Sequence, residues 1–229
     1  MHLFNNLTFV FLFFIFPELK SKSVDVFFGT SGREAKGIYY ATFDSSTGKY
    51  NQAILAAEIN SPGFLAKHPN GKILYAVARW KGGAGTVGYH LGAGGELKEF
   101  TRITCPDGPA CHISVHPTGK FLLTAQYGGG SVAIFPLGKD GVLKNPTVIE
   151  HKGGSKVVDN RQDAPHPHWV GFSPDGKYAL IPDLGLDQIV IYQVDVDKPA
   201  IIPHGKSDSI PGGGPRHIRF SIDGKFIYL

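Results

Sequence analysis

The sequence specifies an all-β fold, a β-propeller of four-stranded blades, and three observations carry that reading. First, one pattern recurs. "GFLAKHPNGKILYAVA" (63–78), "CHISVHPTGKFLLTAQ" (111–126), "HWVGFSPDGKYALIPD" (168–183) and "RHIRFSIDGKFIYL" (216–229) each join two apolar-alternating runs through His or Ser, a two-residue x-Gly turn and a lysine. The turn glycines Gly71, Gly119, Gly176 and Gly224 stand 48, 57 and 48 residues apart, the period of a propeller blade. Second, 30 glycines and 16 prolines in 229 residues suit short strands and tight turns and are too many for a helical protein. Third, no segment sustains a 3.6-residue apolar period, which excludes a helical solenoid.

Each unit justifies its strands in order. The runs on either side of the turn alternate as strands do, and Asn-Gly or Asp-Gly supplies the positive φ angles of a primed hairpin turn. A third strand follows in "GTVGYHL", "GSVAIFPL" and "DQIVIYQV". The nine extra residues of the middle interval fall in the polar insert "KGGSKVVDNRQ" (152–162). The first unit is incomplete, because "DVFFGTS" and "GIYYATF" look like the second and third strands of a blade. The sequence runs out at "KFIYL", in the second strand of the last repeat. A closed ring takes roughly six to eight blades, and about four are expected here.

Residues 1–23 are read apart from the propeller domain, residues 24–229. The apolar run Leu7–Phe16 is too short to span a bilayer, which needs about 20 residues, and has the length of a secretory h-region, with "SKS" (21–23) as the cleavage site. Its n-region carries no Lys or Arg, so an apolar N-terminal strand is the competing reading. A signal implies export to the periplasm or the extracellular space; without one the protein is cytoplasmic. Cys105 and Cys111 bracket "PDGPA", and either close a small loop or stay as free thiols. The net charge is only +4, with no Lys/Arg block or basic helix, so neither nucleic acid nor a membrane span is expected among the partners.

In a propeller the innermost strands line the central channel, and equivalent positions form rings. Counting back from each turn puts Gly63, Cys111, His168 and Arg216 on one level and Phe64, His112, Trp169 and His217 on the next. Imidazoles and a guanidinium thus recur at one channel end, with Arg161 and His166 overhanging it from the insert. A small anionic or carbonyl-bearing ligand suits such a cluster. His68 and His116 precede turns as Ser173 and Ser221 do, and are read as turn residues. The glycine runs 128–130 and 212–214 are read as flexible loops. "GFSPDGK" (171–177) begins like a phosphate loop, but Tyr178 replaces the Ser/Thr and a hairpin follows, so that reading is rejected. His112, His166 and His168 could offer three nitrogens to zinc, yet no thiolate or acid stands at a convincing spacing, and no metal is expected.

The words "NRQDAPHPHWVGFSPDGKYALIPDLG" (160–185), "GPRHIRFS" (214–221) and "CHISVHPTGK" (111–120) carry a resemblance. The chain is similar to the seven-bladed propeller lactonases, the group of bacterial 6-phosphogluconolactonases and fungal carboxy-muconate lactonizing enzymes, as the N-terminal part of a longer pattern. The resemblance implies a cofactor-free lactone hydrolase acting on a small-molecule lactone, a monomer when complete, and inactivity for these 229 residues taken alone. It implies catalytic roles for His168, Arg216, His166 and Arg161. Substrate contacts fall to His112, His217, Gln126 and Asp183. Trp169 departs from the smaller polar residue expected after "HPH", which bears on pocket shape. Hydrolysis needs a base for water, which a histidine near pKa ~6.5 can supply, and cationic donors for the oxyanion. No G-x-S-x-G elbow is present, so water attacks directly. Lactonization of an unsaturated dicarboxylate and a non-catalytic binding propeller are the alternatives.

Overall fold

A computed structural model describes residues 23–229; apart from Ser23, the expected export signal lies outside the described residues. The first unit pairs β1 (Ser23–Gly29) with β2 (Gly37–Asp44), and β2 in turn pairs with β3 (Lys49–Tyr50) and β4 (Ile54–Glu58). The last two together make one interrupted outer strand, so no inner strand precedes β1 among the described residues. Three four-stranded antiparallel sheets follow. They are β5 (Asn60–Lys67), β6 (Ile73–Trp80), β7 (Gly83–Leu91) and β8 (Leu97–Thr104); then β9 (His112–Val115), β10 (Phe121–Gln126), β11 (Ser131–Pro136) and β12 (Thr147–Glu150); then β13 (Gly171–Phe172), β14 (Tyr178–Asp183), β15 (Gln188–Asp195) and β16 (Ala200–Asp208). A hairpin of β17 (Arg219–Phe220) and β18 (Ile227–Tyr228) starts the next unit. The one helical piece among the described residues is a 3-10 turn at Ala93–Gly95.

Packing between blades explains why the central strands are mostly apolar on both faces. Along β10, Leu122 packs with Ile73, Tyr75, Ile113 and Phe135 on one face. Its neighbours Phe121, Leu123 and Ala125 pack with Val132, Val170, Ile181 and Tyr192 on the other. A strand's side chains alternate sides, so a strand between two blades buries both sets, and the polar Thr124 and Gln126 of β10 are buried by bonding each other. Each large side chain buried this way contributes about 1.5–3 kcal/mol.

The turn geometry differs from the primed hairpin that Asn-Gly and Asp-Gly suggest. In each repeat the glycine N–H closes on the carbonyl three residues back: Gly71 to His68, Gly119 to His116, Gly176 to Ser173 and Gly224 to Ser221. Only the glycines have positive φ, between 70° and 75°; Asn70, Thr118, Asp175 and Asp223 do not. The side chain before each glycine instead accepts the N–H of the following lysine, as Asn70 does from Lys72 at 2.9 Å and Asp175 from Lys177 at 3.1 Å. The x residue is therefore chosen as a local acceptor, not for a left-handed backbone.

The same turns latch one blade to the next. His68 Nδ1 accepts the Asn70 N–H, which leaves Nε2–H to donate to the Gly119 carbonyl of the following blade at 3.1 Å. His116 repeats this onto Gly176 at 2.9 Å, while its ring stacks on Phe121. In the next repeat Ser173 holds the histidine's place, and Pro174 packs against Gly224 instead. Both histidines are turn residues, as their position suggested.

Candidate active site

Register places the cluster. His112 opens β9, paired with Ala125. His168 donates its N–H to Pro182 just ahead of β13, and Pro167 bridges Asp183. Arg216 and His217 stand at the corresponding place before β17. The level counted from the sequence is a physical row: Phe64 lies 3.9 Å from His112 between ring centroids, and Trp169 and His217 lie 5.3 Å and 6.2 Å from it. His168 and His217 are 5.2 Å apart. Cys111 faces the His168 carbonyl, its Sγ at 3.4 Å.

The insert is not a solvated tether. Ser155 N–H donates to the Gly185 carbonyl, and the side chain of Gln162 is buried against the turn that follows β14. From this anchored loop Arg161 extends its Nη1–H to the Tyr127 hydroxyl at 3.3 Å. His166 lies flat on the Tyr127 ring and donates Nδ1–H to the Tyr127 carbonyl at 2.8 Å. A carbonyl can only accept, so Nδ1 carries the proton and Nε2 is left as a base. Tyr127 also meets His168 edge-on at 5.6 Å. Tyr127 was missed in the sequence; the signal was its place just beyond the second strand of the repeat, next to "GGG".

Arg161 and Arg216 share a cavity of about 270 Å³, walled by Leu184, Gln162 and the glycines 212–214. Arg216 and His217 also border a second cavity of about 430 Å³ with Ile210 and Pro215. Among the described residues neither arginine has an ion-pair partner. Arg219, also missed, opens β17 two residues beyond His217 and lines a further cavity with Ser114 and Trp169. Trp169 folds its indole over Gly171, where any Cβ would collide with the ring.

Burial, reinforced by neighbouring positive charge, sets the protonation of this end. Burial, then Arg216 and His217, pushes His168 down to about 4. Burial, then His217 and His168, pushes His112 down to about 3. His217 is lowered by burial and by Arg216 and Arg219. All three are neutral at pH 7. His168 therefore departs from the histidine near 6.5 expected of a general base. Its Nδ1 is buried without a hydrogen-bond partner among the described residues. His112 Nδ1 accepts the Val170 N–H at 3.3 Å, so its proton sits on Nε2.

Two further candidates lie beneath this surface. Asp183 is fully buried; Oδ1 accepts the N–H groups of His166, Gly185 and Leu186, and Oδ2 accepts Nδ1–H of His151 at 2.7 Å. Tyr192 completes the relay by donating to His151 Nε2 at 3.0 Å. Gln126 is fully buried and bonds Thr124 and Ser131. Asp183 supports the histidine loop, and Gln126 is spent inside its own blade. The two cysteines are free thiols, and burial pushes Cys111 up to about 11. Among the described residues no group of three or more His, Cys, Asp or Glu is placed to hold a metal ion.

Residues 25–229 match the family described as "Lactonase, 7-bladed beta-propeller". The chain is 34% identical over 197 residues to the 6-phosphogluconolactonase of Bacillus subtilis, an alignment covering 85% of this chain and 55% of that one. It is 30% identical over 208 residues to the 6-phosphogluconolactonase of Formosa agariphila, covering 87% and 58%. The structure of the periplasmic gluconolactonase of Pseudomonas aeruginosa superposes with a TM-score of 0.79 at 28% identity, covering 90% of this chain and 61% of that one. The chain thus spans somewhat over half the length of these curated relatives. Blade repeat, channel-end cluster and relatives agree, and the chain belongs to the seven-bladed β-propeller lactonases.

Proposed function

We propose that this chain supplies the catalytic end of a lactone hydrolase that opens a sugar-derived lactone with water. The observation that carries this reading is an imidazole base fixed on Tyr127, which Arg161 also reaches, with Arg161 and Arg216 lining one cavity. His166 Nε2 takes the proton from water, which attacks the lactone carbonyl. The carbonyl π pair moves onto oxygen, and Arg216 stabilises the oxyanion. Neutral His168 donates an N–H to the same oxygen, as an uncharged imidazole does where its pKa is depressed. When the tetrahedral intermediate collapses, the C–O bond to the ring oxygen breaks, and the proton held by His166 passes to that oxygen as the hydroxyl of the hydroxy acid. Arg161 holds a carboxylate or phosphate of the substrate.

The names of the relatives support lactone chemistry, and the cationic pocket favours an anionic or polyhydroxylated lactone. If residues 1–23 direct export, an unphosphorylated aldonolactone is the expected substrate, since sugar phosphates are cytosolic. The test follows acid release by the full-length protein with D-glucono-δ-lactone, its 6-phosphate and a carboxymuconolactone. Hydrolysis of a sugar lactone that is lost in R216A supports the reading. Interconversion of the muconolactone alone favours the lactonizing alternative. No turnover of any of them, together with unaltered behaviour of the channel-end variants, identifies a binding propeller.

A further inference from the structure

Behind the Arg161–Arg216 cavity lies one buried carboxylate that touches both of the loops bearing those arginines. Asp187, in the turn between β14 and β15, accepts the N–H of Gly212 and the N–H of Gly214, both at 2.8 Å. It also accepts the Gln162 amide at 2.6 Å. Gln162 adjoins Arg161 and is itself fixed, donating to the Leu184 carbonyl at 3.0 Å and accepting the Val158 N–H at 3.0 Å. Gly214 is separated from Arg216 only by Pro215, and a Cβ on it would press on Leu184. Asp187 holds a left-handed backbone, φ 54°, a conformation that costs a non-glycine residue free energy and persists where surrounding bonds enforce it.

These contacts also decide what the glycine run is for. The N–H groups of Gly212 and Gly214 point at Asp187 and that of Gly213 at the Ile210 carbonyl, so none is free to cradle a phosphate. The run is a backbone ligand for a carboxylate. Burial pushes the Asp187 carboxyl up, but the two glycine N–H groups and the Gln162 amide outweigh it, and it stays ionised below the usual carboxylate range.

We propose that Asp187 is a positioning residue that sets the spacing of Arg161 and Arg216, gripping the first through Gln162 and the second through the glycine run. The inference rests on the proposed reading of the two arginines as the anion-binding pair. Loss of the carboxylate unfastens both loops from one point, and the pair then no longer meets one anion together.

The test uses arginine Nε–Hε resonances and a titration with inorganic phosphate, on the full chain. In D187N the amide places N–H groups against the glycine donors. The Arg161 and Arg216 signals are expected to shift and broaden while those of Arg79 and Arg102 stay in place, and phosphate affinity is expected to fall at least tenfold. Q162M releases only the first arm and moves the Arg161 signal alone. In an R161A/R216A background D187N has no further effect on phosphate binding, because there is no pair left to space. Wild-type arginine signals and affinity in folded D187N overturn the proposal. If D187N does not fold, an unmoved Arg161 signal in Q162M overturns it. Undiminished phosphate binding in R161A/R216A refutes the arginine reading instead, and the resonances still report on the clamp.

Discussion

His166 lies on Tyr127 with ring centroids 4.4 Å apart and planes 11° from parallel, and its Nδ1 is bonded to the carbonyl of the same tyrosine. One residue thereby fixes both the plane and the tautomer of the imidazole proposed as the base. The hydroxyl of that tyrosine also reaches Arg161. Y127F keeps the stack and the carbonyl, so it should lose less than about tenfold in lactone turnover, the scale of one exposed hydrogen bond. Y127A removes the stack and should lose about 10²-fold, the lower range for a displaced acid–base group. Rates and melting temperatures of both variants in the full-length protein check this; equal losses would remove the tyrosine ring from the mechanism.

Arg216 has no ion-pair partner among the described residues and faces two cavities. R216A should reduce turnover by about 10²-fold or more, since one charged donor at a developing oxyanion is worth roughly 3 kcal/mol. Arg216 also depresses His168 and His217, so both imidazoles should titrate higher in the variant. Histidine Cε1 proton shifts across pH 3 to 7 measure that independently of activity.

Stability should fall with acid before most carboxylates titrate. His112 and His168 are lowered to about 3 and about 4. Between pH ~6.5 and those values the unfolded chain binds protons that the folded chain refuses. Their neutral burial thus costs nothing above pH ~6.5, and stability drops as pH falls below it, by up to about 1.4 kcal/mol per pH unit for each group. Urea midpoints at pH 7, 6 and 5 report the slope, and H112F should flatten it. A midpoint independent of pH over this window would contradict the neutral assignment.

The latch at the other end of the blades makes a prediction about folding rather than catalysis. H116A strips Gly176 of its inter-blade donor, leaves Thr118 without the Nδ1 acceptor and opens a hole beside Phe121. A loss of about 2–4 kcal/mol is expected from a missing buried hydrogen bond with its cavity. H116S, by analogy with Ser173, should recover part of it through the Ser-type turn. Unfolding free energies of the two variants decide between a latch and a passive spacer.

Much of this was legible because propeller strands carry periodic information. The alternation of each run and the spacing of Gly71, Gly119, Gly176 and Gly224 placed the hairpins, and counting back from those glycines put Phe64, His112, Trp169 and His217 in one row, which the ring contacts reproduce. The turn type was not legible, because Asn-Gly and Asp-Gly serve a primed turn and a glycine-closed turn equally well. Tyr127 and Asp187 were invisible for another reason. Each acts through residues about 25 to 40 positions away, and no local pattern records such a partner.

What the sequence determined by itself is the repeat: short-range alternation and turn chemistry are properties of neighbouring residues, and they dictate blades and the rows on their inner strands. Only the tertiary structure decided the use made of the polar residues. Burial and the charges brought together at the channel end hold His112, His168 and His217 neutral, whereas in an unfolded chain all three would titrate alike. The fold likewise turned the glycine run away from any ligand and onto Asp187, and sank Asp183 and Gln126 among partners of their own. Protonation and hydrogen-bond satisfaction depend on which groups are excluded from water together, and that is set when blades pack.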